Sequence, residues 1–180
     1  MPTKKLVNFL AECSKIERST AYKIIALISG ATLFLIIIPT ILIYFGEMVE
    51  KLFLIQASEL TMDIIAFSSM AIGLFFILWT IIVQWHIGKG TPVPIAPPRK
   101  LVIVGPYKLC RNPMQFGAMI YYLGVGTYFS SLTAGVFSML FVIVFTLLYN
   151  KNIEEKELEI KFGKDYLEYK CKTPFLIPKF

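Results

Sequence analysis

The chain has 180 residues, of which 56% are hydrophobic and only 17% charged, with a mean hydropathy of +0.67. A soluble domain carries about 25% charged residues to hydrate its surface; a chain of one domain's length with this composition has to place its excess apolar mass against lipid. The formal net charge is +6, yet Asp and Glu are absent between Asp63 and Glu154 while Lys89, Arg99, Lys100, Lys108 and Arg111 fall inside that gap. Basic residues set between apolar spans, without interleaved exposed aromatics, point to anionic headgroups or an anionic ligand and away from nucleic acid.

Residues 1–23 are polar and basic, with Lys4, Lys5, Lys15, Arg18 and Lys23. The apolar stretch after them is too long for the core of a cleaved signal peptide and has no small-residue cleavage site. A first span is predicted from about Ile24 to Phe45, uncharged and long enough as a helix to cross about 30 Å of hydrocarbon. Pro39 lies inside it, where lipid-embedded helices tolerate a kink. Glu47, Glu50, Lys51 and Glu59 then read as a mildly acidic loop.

The second span runs from about Ile64 to Val83, and Trp79, Trp85 and His86 mark an interface at its far end. Between Pro92 and Pro98 there are four prolines in seven residues, which exclude a regular helix. The resulting loop, introduced by Gly88-Lys89-Gly90-Thr91, is of a length that usually serves function. From Asn112 to Asn150 there are 39 residues without a charged side chain, too many for one crossing. With Ser130, Ser131 and Thr133 as the turn, they predict a helical hairpin. Lys151 onward is polar and helical in pattern, broken at Gly163 and ended by Pro174 and Pro178.

Lys and Arg number five in the N-terminal segment, five in the loop after the second span and seven in the tail, against Lys51 alone in the first outer loop and none in the hairpin turn. The bias predicts that both termini and the 86–113 loop are cytoplasmic. Cys13, Cys110 and Cys171 then face a reducing compartment as free thiols. With one histidine, His86, whose simplest use is interfacial anchoring, no metal site is assigned.

The hairpin brings chemistry together. With the turn near residues 130–131, Arg111 lies about 19 residues back and Glu154 about 23 forward, a difference of roughly 6 Å of helix rise. Arg111 should therefore meet Glu154 and Glu155 at one level, either as an orienting interfacial ion pair or as a polar site. Pro113 suits the first helical turn. The free N–H groups there, with the Arg111 guanidinium, suit a carboxylate or a phosphate.

The run Gly105-Pro106-Tyr107, then Arg111-Asn112-Pro113-Met114 with Gly117 four residues after Pro113, then Glu154-Glu155 before Leu158, Phe162-Gly163 and Tyr166, resembles the integral membrane methyltransferases. That superfamily includes isoprenylcysteine carboxyl methyltransferase and the phospholipid N-methyltransferases; the likeness covers about residues 85–178 and extends upstream to Gly88-Lys89-Gly90-Thr91-Pro92 and Pro97-Pro98. The resemblance implies an S-adenosylmethionine pocket made by the last two spans, the preceding loop and the polar tail, with a lipophilic acceptor entering from the bilayer. An Arg-His-Pro-x-Tyr-x-Gly motif of the prenylcysteine enzymes falls on Arg111, Asn112, Pro113, Gln115 and Gly117; Asn112 stands for His and Gln115 for Tyr, which puts a prenylcysteine substrate in doubt. Gly124 and Gly126 correspond to a Gly-x-Gly that the phospholipid enzymes use for the cofactor. The same glycines equally suit close helix packing.

The expectation is thus an all-α polytopic membrane protein forming one membrane domain over residues 1–180. It has four spans, or five if a further segment dips into the bilayer, and a cytoplasmic helical tail; residues 86–180 form the cofactor-binding part. The expected activity is methylation of a lipophilic or lipid-linked carboxylate or amine. Arg111 and Glu155 are placed nearest the reaction, and Tyr107, Arg111, Asn112, Pro113, Gly117, Gly124, Gly126, Glu154 and Glu155 at the cofactor. A transporter would need polar groups at mid-membrane, where the spans offer little beyond Ser68, Ser69 and Thr80. A non-catalytic adaptor would explain the spans but not the convergence of Arg111 with a Glu pair.

Overall fold

A computed structural model describes residues 7, 9, 12 and 16–179; Lys4, Lys5, Lys15 and Cys13 lie outside them. Among the described residues every regular element is helical. Helix α1 is Thr20–Glu50, α2 Glu59–Gly88, α3 Pro113–Phe129 and α4 Leu132–Lys172. Helices α1, α2 and α4 are long and apolar enough to cross a membrane; α3 has 17 residues, at the short end of a crossing. Ile25, Ile36, Ile64, Phe67, Phe75 and Leu148 are exposed, an apolar surface that water does not tolerate on this scale and lipid does. The charged residues of α4 begin at Lys151, so its apolar run ends near Tyr149.

The chain forms two compact units. One comprises Ala31–Leu78 and Met114–Val144; the other comprises Met1–Gly30, Trp79–Pro113 and Phe145–Phe180.

In the first unit, helices meet with almost no side chain between them. A Cβ at Gly73 would lie 2.5 Å from the backbone nitrogen of Tyr121, and one at Gly117 would lie 2.8 Å from the carbonyl of Gly73. Only hydrogen fits there. Leu42, Tyr122 and Val142 form the buried apolar cluster, with Ile38, Ala118 and Phe137 against it. Pro39 has no N–H to give the preceding turn, and the helix widens just ahead of it into a π turn, Leu33–Ile37. The Phe34 carbonyl in that turn accepts a hydrogen bond from the Tyr122 hydroxyl. The sequence placed Glu47 and Glu50 in a loop, but α1 continues through both, and Glu50 is held by the Ser131 hydroxyl at 2.8 Å. The predicted hairpin turn falls at Ser130 and Ser131, where α3 gives way to α4.

The second unit is polar and loop-rich. The proline-containing segment after α2 is non-helical, as predicted, until a 3₁₀ turn at Gly105–Lys108. The helix of the tail kinks at Gly163, where φ is +52° and ψ −124°. A Cβ there would meet nothing within 4 Å, so backbone conformation alone requires the glycine.

Candidate active site

Arg111 stands in the short link before α3, whose first residue is the fully buried Pro113. Its backbone N–H is taken by the Pro174 carbonyl at 2.9 Å. Its guanidinium pairs with Glu155, both side chains being about nine-tenths buried (11% and 8% exposed). The Glu155 carboxylate is shared, since Lys170 Nζ lies 2.7 Å from its other oxygen and 2.9 Å from Glu159. These carboxylates hold the Lys170 ammonium above its usual range, the Glu155 hydrogen bond first. Tyr166, almost fully buried, accepts a hydrogen bond from Arg111, and its hydroxyl is pushed up to about 12 by burial and by the Glu155 charge.

A second set of contacts runs through amides. Asn150 Nδ2 donates to Asn112 Oδ1 at 2.5 Å, and Asn112 Nδ2 donates to the Phe175 carbonyl at 2.8 Å. With Lys179 N–H on the Leu109 carbonyl at 3.0 Å, residues 174–179 form a strap along the link that carries Arg111. The Phe175 ring lies 5.5 Å from the Arg111 guanidinium and 5.3 Å from Lys151 Nζ, within cation–π range of both. Among the buried polar atoms of this unit left without a partner are Arg111 Nε, Asn150 Oδ1 and Gln84 Oε1. Buried polar groups are nearly always satisfied; here Arg111 Nε offers a donor and the two amide oxygens offer acceptors.

Tyr107 is tied to the same unit by the Gln84 amide on its hydroxyl and the Tyr169 hydroxyl on its carbonyl at 2.7 Å. Burial raises its pKa, the nearby Glu154 charge adding to the effect. The Cys110 thiol is pushed up to about 11 by burial, the opposite of an activated nucleophile. Glu154 does not join Arg111. It makes no ion pair or hydrogen bond with the described residues, and burial followed by the Glu157 charge lifts its carboxyl to about 7. Lys161 Nζ reaches the Pro98 carbonyl at 3.1 Å and Glu157 at 3.3 Å, pinning the loop to the tail helix; burial draws its pKa down.

Of the residues singled out from sequence, the structure thus brings Arg111, Asn112, Pro113 and Glu155 together, with Tyr107 and Glu154 in the same unit. Gly117, Gly124 and Gly126 belong to the other unit. Cβ atoms at Gly124 and Gly126 would lie 2.6 Å from the Ala66 carbonyl and from Gly135 Cα. Asn150, Lys170 and the Phe175 strap were not foreseen. A lone amide closing an apolar run was the one readable signal among them, because a backbone carbonyl leaves no mark in a sequence.

A buried Arg–Glu pair backed by two asparagines stands in a chain with three helices long and apolar enough to cross a membrane, the pattern of an integral membrane protein with a polar centre. A family model described as phospholipid methyltransferase matches residues 61–165, more than half of the chain and the stretch that holds Arg111, Asn112, Asn150, Glu154 and Glu155. The chain belongs to the phospholipid methyltransferase family and is a membrane methyltransferase. No curated protein and no solved structure matches it.

Proposed function

We propose that this protein transfers a methyl group from S-adenosylmethionine to a lipid or lipid-linked acceptor, and that the cofactor is held by the Arg111–Asn112–Asn150–Glu155 cluster. One observation carries the reading: inside the family-matched stretch, Arg111 Nε and Asn150 Oδ1 are buried and unpaired beside a fixed ion pair. The donor set fits the group. Arg111 Nε suits the carboxylate of the cofactor's amino-acid end, and Asn150 Oδ1 suits its ammonium or a ribose hydroxyl. Glu155 and Tyr166 keep the guanidinium from turning away.

The cofactor supplies an electrophilic methyl on a sulfonium, so the protein's share is positioning and charge placement, with no metal required. Because Arg111 is assigned to the cofactor's carboxylate, it is not free to clamp a substrate carboxylate as well, and the acceptor we favour is an amine. Such an amine reaches neutral pH as an ammonium and must lose its proton before it can attack. Glu154, unpaired and with its pKa near 7, is poised to take that proton at its carboxylate. The Lys and Arg bias supports four spans, α3 included, with both termini and the 86–113 loop on the cytosolic side.

The test is calorimetric titration of S-adenosylhomocysteine into the purified protein in lipid nanodiscs. Wild type should bind in the micromolar range, and Glu155→Gln, with the fold retained, should not. Absence of binding by well-folded wild type would leave a family architecture without the cofactor site and give the adaptor reading the lead. An acceptor screen would then separate lipid amines from carboxylates.

A further inference from the structure

The loop after α2 and the segment leading into α1 border a small cleft that the reaction does not use. It is shallow and open to solvent, lined by Arg18, Lys23, Lys89 and Arg99 and floored by Ala96 and Pro97. A ligand there rests on the cations at the open mouth and not inside an enclosed cavity.

Its walls are fixed by the backbone. Lys89 takes the left-handed conformation at φ +58° and caps the last turn of α2 through its N–H on the Gln84 carbonyl. Across the loop, Arg99 N–H bonds the Gly88 carbonyl at 2.8 Å and Thr91 N–H the Ala96 carbonyl at 2.8 Å. Two of the cations are held against rings, the Arg18 guanidinium 4.8 Å from the Tyr22 centroid and Lys23 Nζ 6.0 Å from the Trp85 centroid, which limits their freedom before any ligand arrives. Arg18 Nε is buried and has no partner. Glu17 lies 3.1 Å from Arg99 but is 79% exposed, and pairs of that kind are weak and screened.

Four cations line this cleft, and the Glu17 carboxylate beside Arg99 is solvated. One of them keeps a donor already stripped of water that still lacks an acceptor. We propose that Arg18, Lys23, Lys89 and Arg99 form a binding site for a phosphate group. A tetrahedral polyanion can accept from the planar guanidinium fork and from two ammonium groups in different directions at once. The cleft adjoins the first turns of α1, where Ile24, Ile25 and Ile28 are exposed, so a lipid headgroup can bring the phosphate with its acyl chains along that surface. A free phosphate compound supplies the same chemistry. The site stands apart from the methyl-transfer reading and does not depend on it.

The experiment is native mass spectrometry of the detergent-purified full chain, titrated with dioleoyl phosphatidate, with uncharged dioleoylglycerol and with inorganic phosphate. The variants are Arg18→Gln, Lys89→Asn, whose side chain tolerates the left-handed backbone, and Lys100→Gln as a charge-matched control outside the cleft. Phosphatidate should bind and dioleoylglycerol should not, with affinity falling about fivefold for each cleft charge removed and holding in the control. If inorganic phosphate fails to displace the lipid, the source is a headgroup; if phosphate binds and competes, the source is soluble. Equal phosphatidate binding in wild type, both cleft variants and the control would overturn the proposal, as would no binding of either phosphate probe. Should Arg18→Gln misfold, Lys89→Asn decides alone.

Discussion

The two units solve opposite problems with the same helices. In the unit of Ala31–Leu78 and Met114–Val144, helix backbones touch through Gly73, Gly117, Gly124 and Gly126, and cohesion comes from contact. In the other, Arg111, Glu155, Asn112 and Asn150 are drawn out of water and, with the half-buried Lys170, are held by charge and hydrogen bonds. Lipid explains the contrast. Helices surrounded by apolar chains gain nothing from hiding more apolar surface, so they associate by close approach. A buried guanidinium tolerates its position only with partners.

The comparison can be broken first at its polar side. Arg111→Ala leaves Glu155 buried with Lys170 alone and should cost about 3–5 kcal/mol of stability, read from unfolding in mixed micelles. Arg111→Met combined with Glu155→Leu should recover most of that loss, because apolar pairs of similar volume replace buried ion pairs at little cost. It should still bind no S-adenosylhomocysteine. Recovery of binding with stability would show the pair to be structural only.

On the apolar side, Gly117→Val forces a side chain into the Gly73 backbone and should cost about 3 kcal/mol by overpacking, seen as a lower midpoint in the same assay. A smaller effect follows from Glu154. Its folded pKa, near 7, lies above its unfolded value, so the folded chain holds that proton longer, and this group's contribution to stability falls as pH rises through the window between the two. Midpoints measured from pH 4.5 to 7.5 should decline less in Glu154→Gln than in wild type. The smallest change is expected of Gly163→Ala, about 1 kcal/mol from backbone strain alone, since no neighbour crowds the site.

Most of the architecture was legible because lipid imposes simple demands: runs without charge became helices, and Ser130-Ser131 became the turn between two of them. The meeting of Arg111 with Glu155 followed from counting residues either side of that turn. Glu154 did not join them, because neighbours on a helix point about 100° apart and only one can face the guanidinium. The end of α1 was misjudged, since Glu50 finds its partner in Ser131, 81 residues away, and a separation that long leaves no local signal. Asn112 standing where the resembling motif has His became intelligible only with Asn150 opposite it.

The strap of residues 174–179 has a consequence for how the protein is made. Glu155 follows Arg111 by 44 residues, and Phe175 follows Asn112 by 63. At about 5–20 residues per second, Arg111 waits roughly 2–9 seconds for its carboxylate and longer for the strap. Through that interval the growing chain carries an unmatched cation, and on the proposed topology such a charge acts as an anchor that keeps the link from being drawn across while α3 and α4 insert.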